Sequence, residues 1–255
     1  WTSAFDHYRK QMREVARQSV SVGGDEYIIV TLRAIGYRAH VSLRRMVDQW
    51  WTGRDLRRRS RRERSPDVIC CGLPTLELAT ASRALGRRHG CPVVLDIRDL
   101  WPDIFVDVVP ERLRPLARPL FRPMERMANR SCESAAAIIG ITDEFVQWGV
   151  DRAGRDRTDR DLAVPLACVR PEAGIVEDAF WEGIGVDPRR PIVAFVGSFN
   201  RNFDFAPVVD AARRWSRQEP GVQFVFCGAG PHLKVVEEMA AGLSNVVLPG
   251  WLEAP

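Results

Sequence analysis

Four ionisable side chains crowd into eight residues at Asp96-Ile97-Arg98-Asp99-Leu100-Trp101-Pro102-Asp103. They follow Pro92-Val93-Val94-Leu95, and residues 93–97 read as a short buried strand. Open α/β sheets bind ligands just beyond the carboxyl ends of their strands. Asp96, Arg98, Asp99 and Asp103 therefore stand where chemistry is expected. A strand end with a purely structural task more often carries Gly, Asn or Ser. The competing explanation is a surface salt-bridge cluster that caps the next helix.

Two glycine turns form a second group. Gly197-Ser198-Phe199-Asn200-Arg201 follows a predicted strand at 192–196, and Gly228-Ala229-Gly230-Pro231 follows one at 222–227. A glycine loop between strand and helix lets backbone amides and the helix start face a phosphate. A dinucleotide fingerprint needs a third glycine and an acidic residue ending the next strand. Here position 233 is Leu and the next strand ends Val247-Leu248-Pro249-Gly250, so NAD is not expected. Gly228 and Gly230, with the Gly197 loop, are read instead as a nucleotide-diphosphate site; the alternative is two tight strand-to-helix turns.

The elements that would hold these groups alternate. Strands are predicted at 27–32, 67–71, 93–97, 136–141 and 162–168, with helices at 41–51, 75–89, 125–133 and 142–148. The first helix continues into an arginine run, and Gly90 stops the second. Pro115, Pro119 and Pro123 argue against one uninterrupted helix ahead of residue 125. Periodicity dissolves between about 151 and 190, then resumes with strands at 192–196, 222–227 and 245–248 and helices at 204–217 and 232–241. Such alternation predicts a parallel sheet with right-handed crossovers. The domain expectation is 1–170, a linker at 171–190, and a partial domain at 191–255. The opening Trp1-Thr2-Ser3 resembles the tail of a strand, and the second half is too short for a doubly wound sheet. The chain reads as a fragment at both ends.

Composition narrows the class. A hydrophobic content of 45% and a charged content of 27% are those of a soluble globular protein. No apolar run is long enough to span a bilayer. The six cysteines lack metal-ligand spacing and disulfide density, and Cys70, Cys71 and Cys227 fall in apolar runs; a reducing cytosol and no metal follow. All but two of the 37 basic residues are arginine, the exceptions being Lys10 and Lys234. Eleven arginines lie between 33 and 64 against Asp48, Asp55 and Glu63. The guanidinium fork matches phosphate oxygens, so an anionic partner is expected, although arginine-biased coding would also enrich solvated helix faces. Val41, Leu43, Met46, Val47, Trp50 and Trp51 could form an apolar face ringed by Arg44, Arg45, Arg54 and Arg57 to Arg59. Such a face suits an anionic membrane surface. The bland alternative packs both tryptophans into the domain.

Taken in order, the motifs resemble those of bacterial family 4 glycosyltransferases, in particular the O-antigen, capsule and amino-sugar transferases. The matching pieces are Ser65-Pro66-Asp67-Val68-Ile69, Leu73-Pro74, the 96–103 segment and Val164-Pro165-Leu166. They continue with Val196-Gly197-Ser198-Phe199, Val225-Phe226-Cys227-Gly228-Ala229-Gly230-Pro231 and Asn245-Val246-Val247-Leu248-Pro249-Gly250-Trp251.

The resemblance implies an α/β fold of the GT-B kind: two Rossmann-like domains with mostly parallel sheets, the second truncated. It also implies retaining, metal-independent sugar transfer from a UDP- or GDP-linked donor to a lipid-linked or polysaccharide acceptor, as in lipopolysaccharide or exopolysaccharide synthesis. No cofactor is implied, and the setting is cytoplasmic, peripheral on the inner membrane face. Arg98 and Asp99 fall where many relatives carry a His-Asp pair, giving them catalytic roles. Asp96, Trp101, Asp103, Gly197, Ser198, Phe199 and Arg201 become substrate contacts, with Arg201 the cation for the diphosphate. The family's usual lysine has no counterpart between Asn200 and Phe205, and its donor-binding glutamate motif would lie beyond Pro255. Two rivals stand beside this reading: a nucleotide-sugar epimerase of the same fold, and a nucleic-acid-binding module built on the arginine excess. The second would want aromatic platforms near the arginines, and only Tyr37, Trp50 and Trp51 qualify.

Overall fold

The computed structural model describes residues 1–7, 10–38, 42–167, 178–200, 203–218 and 221–252, with the side chains of 107, 108, 117 and 118 left aside. The chain forms two compact units, Trp1–Cys168 and Val169–Pro255.

The first unit opens with β1 (Thr2–Ser3), β2 (Phe5–Asp6), β3 (Gln11–Met12), β4 (Arg17–Val22) and β5 (Asp25–Leu32). β4 and β5 form an antiparallel hairpin, and β5 also pairs in parallel with β1. The expected strand at 27–32 is thus the second arm of a hairpin whose first arm the sequence hid. Arg17–Val22 alternates only Val with Ser, a weak apolar signal, but Gly23 and Gly24 sit at φ 63° and 92°, the turn that closes a two-residue hairpin.

Helix α1 (Leu43–Arg59) starts where Ser42 Oγ accepts the Arg45 N–H; Val41 lies outside the described residues. The helix is turned opposite to its apolar pattern. Asp48, Gln49, Thr52, Asp55 and Leu56 are buried, while Leu43, Met46, Val47, Trp50 and Trp51 are exposed. The reason is the irregular segment after β5, whose backbone groups need partners. Asp55 Oδ2 accepts the Arg33 N–H at 2.9 Å, and Asp48 Oδ1 accepts those of Ile35 and Gly36 at 2.7 and 2.8 Å. Thr52 Oγ1 donates to the Arg33 carbonyl at 3.2 Å.

The central sheet follows: β6 (Ile69–Leu73), α2 (Leu76–His89), β7 (Val93–Ile97), α3 (Asp103–Val108), α4 (Arg114–Glu133), β8 (Ala137–Gly140), α5 (Asp143–Ala153) and β9 (Leu162–Ala163). Its strands run parallel in the order β6-β7-β8-β9. β7 has the predicted bounds. β6 starts later than predicted and runs through Gly72 to the residue before Pro74. Because neighbours on a strand alternate faces, Cys71 is buried and Cys70 exposed. The expected break before residue 125 is corrected: α4 is continuous although Pro119 and Pro123 lie inside it. With Pro115 they share one exposed stripe at four-residue spacing, so the carbonyls left without an N–H partner lie on the solvent side.

The core of this unit contains Leu73, Leu76, Leu95, Ile97, Ile138 and Val146. Asp161 fastens the last strands to it. Its buried carboxylate accepts the Ile138 N–H at 2.9 Å, the Thr158 N–H at 2.8 Å and two Arg155 N–H groups at 2.6 and 2.8 Å. The Arg155 contact, the largest cause, holds the Asp161 carboxyl well below the usual carboxylate range. Order therefore persists past residue 151, where the sequence pattern fades.

The second unit contains α6 (Asp178–Gly183), β10 (Ile192–Val196), α7 (Ala206–Trp215), β11 (Gln223–Cys227), α8 (Leu233–Met239) and β12 (Val246–Gly250). β10, β11 and β12 form a parallel sheet in that order. Its core joins Phe199, Phe205, Val209, Phe224 and Phe226. Among the described residues no helix is long and apolar enough to cross a membrane.

Candidate functional site

In the first unit the β7 end brings the predicted polar group together. Asp96 is still in the strand, and its Oδ2 accepts from Arg98 Nε at 2.7 Å. The Arg98 side chain is 61% exposed, so the guanidinium faces solvent while its carboxylate partner stays largely covered at 18%. Asp99 Oδ1 accepts the Leu100 N–H at 3.2 Å. Trp101 is buried. Arg45 Cζ lies 4.1 Å from its ring centroid, and the Phe105 ring meets it edge-on at 4.6 Å. Asp103, at the start of α3, accepts from Trp148 Nε1 at 2.7 Å and from the Arg152 guanidinium. That carboxylate ties α3 to α5.

Several residues of this site escaped sequence reasoning. Arg45 was placed on the rim of a membrane-facing surface, and the structure corrects this: it turns inward between Trp101 and Tyr37, 5.3 Å from the latter's ring. Burial pulls its guanidinium below the usual range, with Tyr37, Asp99, Asp48 and Glu77 opposing. Lys10 Nζ sits 4.9 Å from the Tyr37 ring, and burial, then Arg45, lowers its pKa. Burial and Lys10 likewise lower that of His7. Burial pushes the Glu77 carboxyl up. One signal was present in the sequence: Lys10 is one of only two lysines in a chain that otherwise uses arginine. Arg45 and Tyr37 stood out only as members of the arginine-rich 33–64 segment, and His7 and Glu77 came from segments with no chemical pattern of their own. The result is a half-buried collection of opposite charges around one strand end, a setting in which electrostatic contacts are less screened than in water.

In the second unit the glycine loops are zipped together. Gly197 N donates to the Cys227 carbonyl and Phe199 N to the Ala229 carbonyl, both at 3.0 Å; His232 N returns a bond to the Phe199 carbonyl at 3.0 Å. Gly228 N donates to the Gly250 carbonyl at 2.7 Å. A Cβ on Gly228 would stand 1.8 Å from the Gly197 oxygen, and one on Gly230 2.2 Å from the Phe199 oxygen. The glycines thus permit two loops to touch, and the Gly197 and Phe199 amides are spent on that contact. The Ser198 N–H makes no backbone bond among the described residues. Phe199 is buried, its ring stacked 5.1 Å from Phe205, so the side chain serves the core. Arg201 lies outside the described residues. Among those described, no group of three His, Cys, Asp or Glu could hold a metal ion.

Residues 10–162 match the family model described as the glycosyl transferase 4-like domain. A stretch of 64 residues is 39% identical to the alpha-maltose-1-phosphate synthase of Mycolicibacterium smegmatis, covering 25% of this chain and 16% of that protein. The structure of Anabaena Alr3699/HepE in complex with UDP superposes with a TM-score of 0.52 and 11% identity, covering 87% of this chain and 55% of that one. The complex of the same protein with UDP-glucose gives 0.51 and 13%, covering 80% and 52%. The fold shared with these structures is the α/β arrangement of mostly parallel sheets found in GT-B proteins. The chain spans about half their length.

Proposed function

Because the chain belongs to the glycosyl transferase 4-like family, we propose that the protein moves a sugar from a nucleotide-diphosphate donor to a lipid-linked or polysaccharide acceptor in cell-surface glycan synthesis. The observation that carries this reading is the set of acidic and basic groups at the β7 end, where Asp96 holds Arg98 and Asp99 faces the field of Arg45.

In this proposal the reaction retains the anomeric configuration and needs no metal. Its demand is stabilisation of a departing diphosphate and an oxocarbenium-like sugar, which preorganised charges supply better than water does. Arg98, fixed by Asp96, presents its exposed guanidinium to the sugar or a phosphate. Asp99, relieved of holding Arg98, takes sugar hydroxyls. Trp101 and Asp103 act as positioning residues, since one is buried under Arg45 and the other is bound to Trp148 and Arg152.

Within the second unit, Ser198 and Arg201 are the proposed contacts for a diphosphate, with Gly228 and Gly230 allowing the two glycine loops to touch. A UDP-linked donor is favoured over a GDP-linked one by the fold shared with a protein solved with UDP-glucose. The protein works on the cytoplasmic side, peripheral to the inner face of the membrane, a placement supported by the exposed apolar residues and arginines of α1.

Assay of the whole protein against UDP- and GDP-linked sugars tests the proposal. Release of nucleoside diphosphate coupled to acceptor glycosylation is expected, with no loss in chelator, and none from the 255-residue chain alone. Turnover absent with every donor, or robust transfer by the isolated chain, would contradict it.

A further inference from the structure

The outward stripe of α1 is divided along its length. Leu43, Met46, Val47 and Trp50 occupy its first half, 81%, 45%, 51% and 52% exposed. Arg54, Arg57 and Arg58 occupy its second half, within the same arc of roughly 120° at 3.6 residues per turn. Arg61 continues the series in the 3-10 turn Ser60–Arg62.

Two of the arginines expected on this surface are corrected by the structure. Arg44 Nε donates to the Gly36 carbonyl, and Arg59 Nη1 to the Thr31 carbonyl, both at 2.8 Å. With Arg45 also turned inward, Arg54, Arg57 and Arg58 remain outward, and together with Arg61, Trp50 and Met127 of α4 they line a cavity of about 530 Å³. Glu77 and Thr80 of α2 also line it. The lining therefore carries four guanidiniums and a single carboxylate, Glu77, whose pKa burial pushes up. Among the described residues none of Arg54, Arg57, Arg58 and Arg61 forms an ion pair; Arg54 alone has a ring contact, over Trp50 at 5.8 Å.

Opposite, α4 repeats the division. Met127 lines the cavity, while on the same side of the helix Leu116 and Leu120 are 78% and 76% exposed. A soluble anion would leave these apolar side chains in water. Amphiphiles with phosphate heads match both halves, because apolar insertion and attraction to anionic headgroups act together at a bilayer boundary.

We propose that the cleft between α1 and α4 is a phosphate-binding site that docks this protein on an anionic lipid bilayer. Arg54, Arg57, Arg58 and Arg61 take lipid phosphates, while Trp50, Met46, Leu116 and Leu120 enter the acyl boundary. This deepens the membrane placement proposed above and rests on the transferase reading only for the side of the membrane involved.

Co-sedimentation of the 255-residue chain with vesicles, without donor or acceptor, separates the two. Binding is expected with vesicles containing phosphatidylglycerol and not with phosphatidylcholine alone. The triple variant R57Q/R58Q/R61Q should weaken it about 10²-fold, since each basic residue near an anionic surface contributes a similar increment. A control that removes equal charge elsewhere, R160Q/R214Q/R217Q, should change it less than about 3-fold, and M46S/W50S should weaken it at unchanged charge. All these side chains are exposed, and circular dichroism confirms folding. Equal loss in both triple variants would show diffuse charge and overturn the site. Indifference to phosphatidylglycerol, or tight binding of inorganic pyrophosphate or duplex DNA in place of vesicles, would overturn it too.

Discussion

At the residue scale, the ion pair between Asp161 and Arg155 is structural. Asp161 is enclosed, takes hydrogen bonds from Arg155, Thr158 and Ile138, and joins two neighbouring strands through them. Its folded-state pKa is depressed, so the stability it adds is present in full above the unfolded value near about pH 4 and is lost as pH falls below that toward the folded value. D161N keeps the shape and removes the charge. Urea titration at neutral pH should show about 2–3 kcal/mol less stability, the weight of hydrogen bonds to a charged group. The difference from the unmodified chain should shrink on acidification below about pH 4; a gap that stays constant would mean the charge is irrelevant. The Arg155-to-Asp161 stretch does not announce this tie, because the N–H that joins it to the sheet, that of Ile138, belongs to β8.

Among elements, the helices and strands with strong periodicity were legible, and their faces were not. Gly90 at φ 68° ends α2 where the sequence placed its stop, and β7 has the bounds its apolar run sets. The orientation of α1 was hidden, since a pattern of Met, Val and Trp argues for burial. The buried side is chosen instead by loop amides that Asp48 and Asp55 satisfy. The prolines of α4 misled in the same manner, because their cost depends on whether the freed carbonyls meet solvent.

The paired glycine loops were legible as special, though the amides read as phosphate donors are partly consumed in loop-to-loop bonds. That reassignment has a consequence for stability. G228A places a Cβ against the Gly197 carbonyl at φ 140° and should cost roughly 2–4 kcal/mol. G72A, with open space and no positive φ, should stay within about 0.5 kcal/mol of the unmodified chain. Calorimetry on both variants checks this, and equal melting would show that the loops do not need their contact.

For the molecule as a whole, strand–helix alternation made the α/β class readable, and the ordered motifs made the family readable. Charge distribution was visible as an excess but not as a geometry. Of the arginines between residues 33 and 64, Arg45 serves the polar cluster, Arg44 and Arg59 serve the backbone, and four line one cavity. Such a division follows from tertiary contacts that a linear count cannot contain.

The central claim is that sugar transfer takes place at the carboxyl end of β7. Steady-state turnover of the whole protein with its best nucleotide sugar, compared with R98A and D99A, tests it most directly. Both variants are expected to fold normally and to lose about 10²-fold or more in kcat, the usual loss when one preorganised electrostatic contact is removed. Near-unchanged kcat in both, with normal melting, would contradict the assignment.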